Sequence, residues 1–498
     1  MISAENLPIL VIIIPLISAI ITPLVGRIHR SIGWLVALLA TSLSFAYSLA
    51  LIRSVMENGP ISYWLGGWEP PWGIEYVVTP FNGLVLCVVS FITIVITLYA
   101  RKSIEQDVSE SKIPFFYSLY LLFFTGLMGI VITGDIFNLY VFIEISALSG
   151  YALVAMGRER DALIASYNYL ILGTIGASFI VLGIGYLYMV TGTLNMADLS
   201  ARLPELYDST TVRSAFAFFM VGLSLKLALF PFHIWLPNVY THSPSTVSAL
   251  MAATSTKVSA YVLLRLMFTV YRPEFVLTVV PVTKILLVLA ALAIIIGSVI
   301  ALAQTNIKRM LAYSSVGQIG YIILGASIAN QASMTGSLMH IFNHALMKGS
   351  LFMVVGAMVY RTGIVNIEDM RGMGKKMPFA MAAFTIGALS MIGFPFTVGF
   401  VSKWYLAVGA LKADMWYFIP IILLSSLLTA VYFWRIVEAI YFREKSEKLA
   451  GLPSEPAEAP FGMTATTLFL SLLCIVFGIA AFIPTKVAAA AAKLLLGG

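Results

Sequence analysis

Seven residues of this 498-residue chain combine a titratable side chain with a deeply apolar setting. Lys226 lies in "GLSLKLALFPFHIWLP", Glu144 in "DIFNLYVFIEISALSGYALVAMG", Lys257 in "STKVSAYVLLR" and Lys403 in "GFVSKWYL"; His340, His344 and Lys348 share "SLMHIFNHALMKGSLF". A charge at the centre of a bilayer-spanning helix costs about 3 kcal/mol on insertion scales, so a chain that keeps several has a use for them. One carboxylate cannot neutralise four lysines, as a static lock between helices would require. Buried groups whose charged form is costly take up and release protons, and they are the usual material of proton relays. His340, His344 and Lys348 stand at successive i, i+4 steps and form one stripe on a helix. A histidine pair titrating near neutrality suits proton passage. The spacing would also accept a divalent metal, but no third Cys, Asp, Glu or His lies close in sequence to complete a site, and none is expected.

The elements that must hold these residues are membrane helices. Hydrophobic residues make up 60% of the chain and charged residues 11%, and the mean hydropathy is +0.95. No water-soluble core hides that much apolar surface. The expected fold is an all-α polytopic membrane protein, with apolar segments long enough to cross roughly 30 Å of hydrocarbon recurring about fourteen times. The first segment, near 7–25, is read as a helix, since it lacks the basic leader and small-residue cleavage site of a signal peptide. Two spans are expected to break, at Pro231 and at Gly393 with Pro395, because proline removes a backbone donor. Both breaks carry Phe-Pro-Phe near a buried lysine, and broken helices in corresponding halves point to an ion path near the midplane. Arg265, Lys284 and Arg435 lie close to span ends, where long side chains snorkel to the interface.

Alternate loops separate by charge. One set carries sixteen Lys and Arg residues, from Arg27 and Arg30 to Arg443, Lys445 and Lys448, and the other carries seven. The richer set belongs in the cytoplasm, which puts both termini on the outer side of the cytoplasmic membrane. The net charge of +7 is thereby explained by topology, and no nucleic-acid site is read into it.

Three stretches carry a family likeness: "SLKLALFPFHIWLPNVYTHSPSTVSALMAATSTKVSAYVLLR", "NIKRMLAYSSVGQIGYI" and "HIFNHALMKGSLF". With them the chain resembles, over nearly its whole length, the antiporter-like subunits shared by respiratory complex I, membrane-bound hydrogenases and Mrp cation/proton antiporters. It looks most similar to the Mrp D-type and hydrogenase antiporter-like subunits. The resemblance implies two inverted five-helix repeats, helices four to eight and nine to thirteen, with helices seven and twelve broken. It divides the chain into an N-terminal three-helix segment (1–112), a first repeat (113–272), a second (273–442), and a linker with helix fourteen (443–498). It also assigns residues: Glu144 as the fifth-helix glutamate, Lys226 and Lys257 as the seventh- and eighth-helix lysines, His340 and His344 as the eleventh-helix histidines. Lys403 takes the twelfth-helix exit position, where some relatives carry glutamate. Lys348 is a further candidate on the histidine stripe.

The expected mechanism is proton translocation. Glu144 pairs with Lys226, movement of the carboxylate changes the lysine's hold on its proton, and protons pass by Lys257, His340 and His344 to Lys403. No redox or nucleotide site is expected in the chain itself: Cys87 and Cys474 stand far apart in apolar spans, and no phosphate-binding fingerprint is present. No cofactor is therefore expected. Energy must come from partner membrane subunits that run a redox reaction, or from an ion gradient exchanging Na⁺ or K⁺ for H⁺. A stand-alone solute transporter is the lesser alternative, and would need a roomy polar pocket rather than serial charges. Of the loops, "YFREKSEKLAGLPSEPAEAP" reads as a flexible or surface-lying linker. The outer "ENGPISYWLGGWEPPWGIEYVV" reads as a short hairpin cap.

Overall fold

A computed structural model describes residues 6–26, 30–451 and 457–497. Six helices open the chain: α1 (Leu7–Val25), α2 (Arg30–Asn58), α3 (Pro80–Asp107), α4 (Ile113–Ile132), α5 (Ile136–Ala155) and α6 (Arg160–Thr191). A short α7 (Met196–Arg202) leads to α8 (Thr210–Leu227), α9 (Trp235–His242), α10 (Ser245–Ala253) and α11 (Ser255–Arg265). Then come α12 (Val282–Leu302), α13 (Ile307–Ile328), α14 (Gln331–Thr362), α15 (Pro378–Ile392), α16 (Val398–Lys412), α17 (Phe418–Tyr441), α18 (Phe461–Ile479) and α19 (Phe482–Leu495). Among the described residues thirteen helices are long and apolar enough to cross a membrane, and the protein is multi-pass. The span expected near 379–411 is the fourteenth; it is cut into α15 and α16 and so falls short as a single rod. Arg27, one of the basic loop residues, lies outside the described residues.

Burial is uneven, and it follows the candidate residues. In α13 and α14, 94% of the apolar window is enclosed by the protein, against 33% in α1 and α2. Polar side chains thus concentrate where lipid does not reach, as membrane burial of polar groups demands. Between α2 and α3 the expected hairpin forms from strands β1 (Ile61–Trp64) and β2 (Glu75–Val78), with Ile61 opposite Val78 and the tips Trp68 and Trp72 exposed.

Both expected breaks are present, and each turns on one left-handed residue. After α8, Ala228 takes φ 59° and the N–H of Leu229 bonds back to the Ser224 carbonyl at 3.0 Å. After α15, Gly393 takes φ 89° and the N–H of Phe394 bonds back to Leu389 at 3.0 Å. Phe-Pro-Phe follows in each case, so the proline lies where no helical N–H is needed. A third interruption was not expected from the sequence: Thr254 leaves helical geometry (φ −123°, ψ −58°) between α10 and α11. Lys257 there bonds its N–H to Thr254 instead of continuing the i−4 ladder, which leaves the Ala252 carbonyl for another donor.

Close helix approach needs glycine at one place beside the site. A Cβ on Gly222 of α8 would lie 2.6 Å from the Gly176 carbonyl of α6, so the two backbones meet as small-residue membrane interfaces do.

Two corners of the fold are built on one plan. The N–H of Ile136 bonds to Leu194 and that of Met196 to Gly134; the N–H of Ile307 bonds to Val365 and that of Ile367 to Thr305. Every position in the second pair of bonds lies 171 residues after its counterpart (136 to 307, 194 to 365, 196 to 367, 134 to 305). Asp135 and Asn306, also 171 apart, cap α5 and α13. An arginine closes each corner. Arg265 donates to the Thr133 carbonyl at 2.6 Å and to Val131 at 3.4 Å. Arg435 donates to Gln304 at 2.6 Å and to Leu302 at 3.0 Å. Neither arginine snorkels to the interface as its place near a span end suggested; both turn inward, where helix-terminal carbonyls solvate the charge. Lys284, by contrast, is exposed.

The linker after α17 lies on the surface. Ser446 and Lys448 bond to Asp369, and Glu458 accepts the N–H of Phe379 at 2.6 Å, capping α15. Its Pro/Glu-rich stretch 452–456 lies outside the described residues.

Candidate functional site

Glu144 sits midway along α5 and Lys226 in the last turn of α8, with 3.8 Å between Nζ and Oε1. The pair is in Coulomb contact but beyond hydrogen-bond reach, and among the described residues neither atom has a hydrogen-bond partner. The C-terminal end of α8, its carbonyls partly freed by the break, favours a cation at this position. Beside the pair lies a cavity of about 30 Å³, lined among others by Ser146, Tyr169, Lys226, Ser255 and Ser259, which is room for a water molecule. On α5 the neighbours of Glu144 at helical spacing, Phe137, Val141 and Leu148, are exposed apolar residues. The carboxylate therefore sits in an apolar stripe on the outside of the bundle.

Ser255 and Ser259 turn one face of α11 toward Lys226, and Lys257 leaves from another. Its Nζ donates to the freed carbonyl of Ala252 and to Thr256 Oγ1 at 3.3 Å. From there it interacts electrostatically with His340, His344 and Lys348. Lys226 and Lys257 do not touch; the serine-lined cavity lies between their helices.

In α14 the rings of His340 and His344 stack 5.8 Å apart at 17°, as the i, i+4 stripe requires. Both nitrogens of His344 and Nε2 of His340 have no partner among the described residues, although both side chains are fully buried. His340 Nδ1 bonds to Ser402 Oγ at 2.8 Å. Lys348 is turned aside from the stripe toward α13, donating to the Leu311 carbonyl at 2.7 Å and to Ser314 Oγ.

Lys403 reaches back across the second break. Its Nζ donates to Ile392 at 2.9 Å, to Met391 at 3.1 Å and to Ser426 Oγ at 3.0 Å, and it lies 5.2 Å over the Tyr321 ring. Tyr321 in turn stands 5.5 Å from His340. Lys226 and Lys403 thus both occupy the carbonyl end of the half-helix before a break, one from the half-helix itself and one from the half-helix that follows.

Several residues of this line were not singled out from the sequence. Ser402, Ser426 and Tyr321 tie His340 to Lys403, and Ser255 and Ser259 lie between Lys226 and Lys257. One signal was available: Ser314, Gln318 and Tyr321 recur at i, i+4 and i+3 in "SSVGQIGY", a polar stripe on an apolar helix. On the side of the basic loops a polar recess of about 390 Å³ opens, lined among others by Asp107, Glu159, His242, Ser245 and Lys308. Lys308 Nζ bonds to Ser245 Oγ at 3.4 Å, and the N–H of Ser245 to Asp107 at 2.8 Å.

Comparison with known proteins gives consistent likenesses. Residues 133–429 match the family described as NADH:quinone oxidoreductase/Mrp antiporter, TM. The chain is 45% identical to the N subunit of NADH-quinone oxidoreductase from Desulforudis audaxviator, over 91% of this chain and 89% of that one. It is 30% identical to the D-type subunit of the Na⁺/H⁺ antiporter from Bacillus subtilis, over 95% and 94%. Its structure superposes with a TM-score of 0.90 and 31% identity on a chain of the membrane-bound sulfane sulfur reductase, an archaeal respiratory membrane complex, covering 99% and 98% of the two chains.

Proposed function

The chain belongs to the NADH:quinone oxidoreductase/Mrp antiporter family of membrane subunits, and from that premise we propose that it is the proton-translocating, antiporter-like subunit of a multisubunit membrane complex. The single observation that carries the mechanism is the line of buried groups from Glu144 and Lys226, past Lys257 and the stacked His340 and His344, to Lys403. Beside Glu144 the charged form of Lys226 is held by Coulomb attraction; drawn apart in a dry site it loses its proton. The proton passes across the serine-lined cavity toward Lys257, and by His344, His340 and Ser402 to Lys403. The polar recess at Asp107 and Lys308 supports access from the side of the basic loops. Lys348, tied to α13, acts on Lys257 and His344 by charge.

The duplicated corners support the division into inverted repeats at 113–272 and 273–442, since five crossings separate α4 from α12 and so reverse its sense. The sixteen-to-seven bias of basic residues supports both termini on the outer side of the cytoplasmic membrane. The exposed apolar stripe around Glu144 suits coverage by a neighbouring subunit, from which the carboxylate can be moved. The stronger likeness, to an oxidoreductase subunit, favours a redox-driven assembly; the likeness to D-type antiporter subunits supports the second reading, exchange of Na⁺ or K⁺ for H⁺. Two experiments test this. Proton movement at the wild-type rate in assembled complexes with both Glu144→Ala and Lys226→Ala would overturn the mechanism. Copurification decides the energy source: a redox arm means a pump, and small membrane subunits without one mean an antiporter.

A further inference from the structure

The Arg265 corner is more heavily built than a helix end requires. Three side chains from two helices converge on the last carbonyls of α4: Arg265, Tyr261, which donates to Val131 at 2.8 Å, and Asn82, which donates to Val131 at 2.8 Å and to the Tyr261 hydroxyl at 2.9 Å. Arg265 also donates to the Tyr261 hydroxyl at 2.9 Å and is 7% exposed. A buried guanidinium is an expensive cap where a neutral amide would serve, and among the described residues no acid pairs with it. The corner continues into α5. The Thr133 hydroxyl accepts the N–H of Asp135 at 3.2 Å and the side chain of Asn138 at 3.0 Å, and Asp135 caps Asn138 at 2.6 Å. Glu144 follows nine residues later on an unbroken helix, a lever of about 13 Å at 1.5 Å per residue. A tilt of only about 5° at the corner moves the carboxylate by roughly 1 Å, the difference between the observed 3.8 Å and a hydrogen bond.

Resting on the reading that Glu144 and Lys226 work as a pair, we propose that Arg265 is a positioning residue for that pair, fixing through the α4–α5 corner the separation at which the carboxylate meets the lysine. The titratable groups facing Glu144 are Lys226 of α8, Tyr169 of α6, and Tyr140 and Tyr151 of α5 itself. Arg265 touches none of them, so its influence runs through the backbone. Arg435 supplies an internal control. It closes the equivalent corner, but the position equivalent to Glu144, 171 residues on, is Ser315, which carries no charge to misplace.

The experiment compares the pH dependence of proton movement in membrane vesicles carrying the assembled complex. Arg265→Gln lowers the rate by about tenfold or more, as small misplacements do, and displaces the pH midpoint by roughly half a unit or more. Arg435→Gln lowers the rate but keeps the wild-type midpoint, and Arg265→Lys recovers part of the loss. An assembled Arg265→Gln complex with the wild-type midpoint overturns the proposal. So does an equal displacement in both glutamine variants, which marks a role general to the fold, and so does failure of both Arg265 variants to assemble. Failure of the pair reading itself is told apart, because it shows in Glu144→Ala and Lys226→Ala complexes with Arg265 intact.

Discussion

Lys403 donates to the carbonyl of Ile392 at 2.9 Å, so a lysine on the second half of a broken helix closes the open end of the first. The break and the charge are mutually dependent: the interruption frees acceptors, and the ammonium fills them where water is scarce.

This geometry distinguishes lysine from the glutamate that some relatives are expected to carry there. In this chain a carboxylate would face two carbonyls and the negative end of α15. Lys403→Ala is expected to lower proton movement by about a hundredfold, in the range general acid–base groups supply. Lys403→Glu is expected to do no better. Wild-type transport by Lys403→Glu would show that the carbonyl cage is not what the position serves.

The two left-handed residues predict opposite responses. Gly393→Ala places a side chain at φ 89° with its Cβ 3.0 Å from Lys403 Cδ, and is expected to cost about 1–2 kcal/mol or more of stability along with transport. Ala228→Gly relieves φ 59° and is expected to gain up to about 1 kcal/mol. Thermal unfolding of the solubilised complex measures both, and the same sign for the two changes would refute the assignment of strain.

Ser402 is the sole partner of His340 Nδ1 among the described residues, and it fixes how the ring faces its neighbours. Ser402→Ala is expected to lower proton movement by about tenfold, with Ser402→Thr keeping most of it. Equal rates for serine and alanine would remove the hydroxyl from the path.

Glu458 bears on stability rather than transport. Burial pushes its carboxyl above the ordinary value of 4.5, against the two N–H groups of Phe379 and Ala380 that it caps. A raised carboxyl binds protons better folded than unfolded, so its contribution is lost as pH rises from about 4.5 through the folded value. Glu458→Gln is expected to flatten stability against pH in that window while leaving the rate per complex unchanged. A parallel curve for the variant would contradict this.

Much of this architecture was legible in the sequence because membranes impose simple rules. Span lengths, the two Phe-Pro-Phe breaks and the lysines beside them follow from hydrocarbon thickness and proline's missing donor. The break at Thr254 was not legible, since it uses no glycine or proline; only the burial of Lys257 hinted that a carbonyl had to be freed nearby. Arg265 and Arg435 were misjudged because distance to a span end does not tell which face a side chain leaves by. Ser402 and Tyr321 gain their places through the packing of α16 and α13 against α14, which no local pattern records. Lys348 looked like a third member of the histidine stripe, yet its length lets it turn to Leu311 and Ser314.

The 171-residue duplication has a final consequence. The chain repeats its framework but not its contents: the corner that ends at Glu144 in one half ends at Ser315 in the other. A symmetric pair of charged halves would give a proton equivalent resting places on either side and no preferred heading. With the acid in one half and the carbonyl-caged lysine in the other, the molecule has a front and a back, and the imbalance between two otherwise matched frameworks gives the path its polarity.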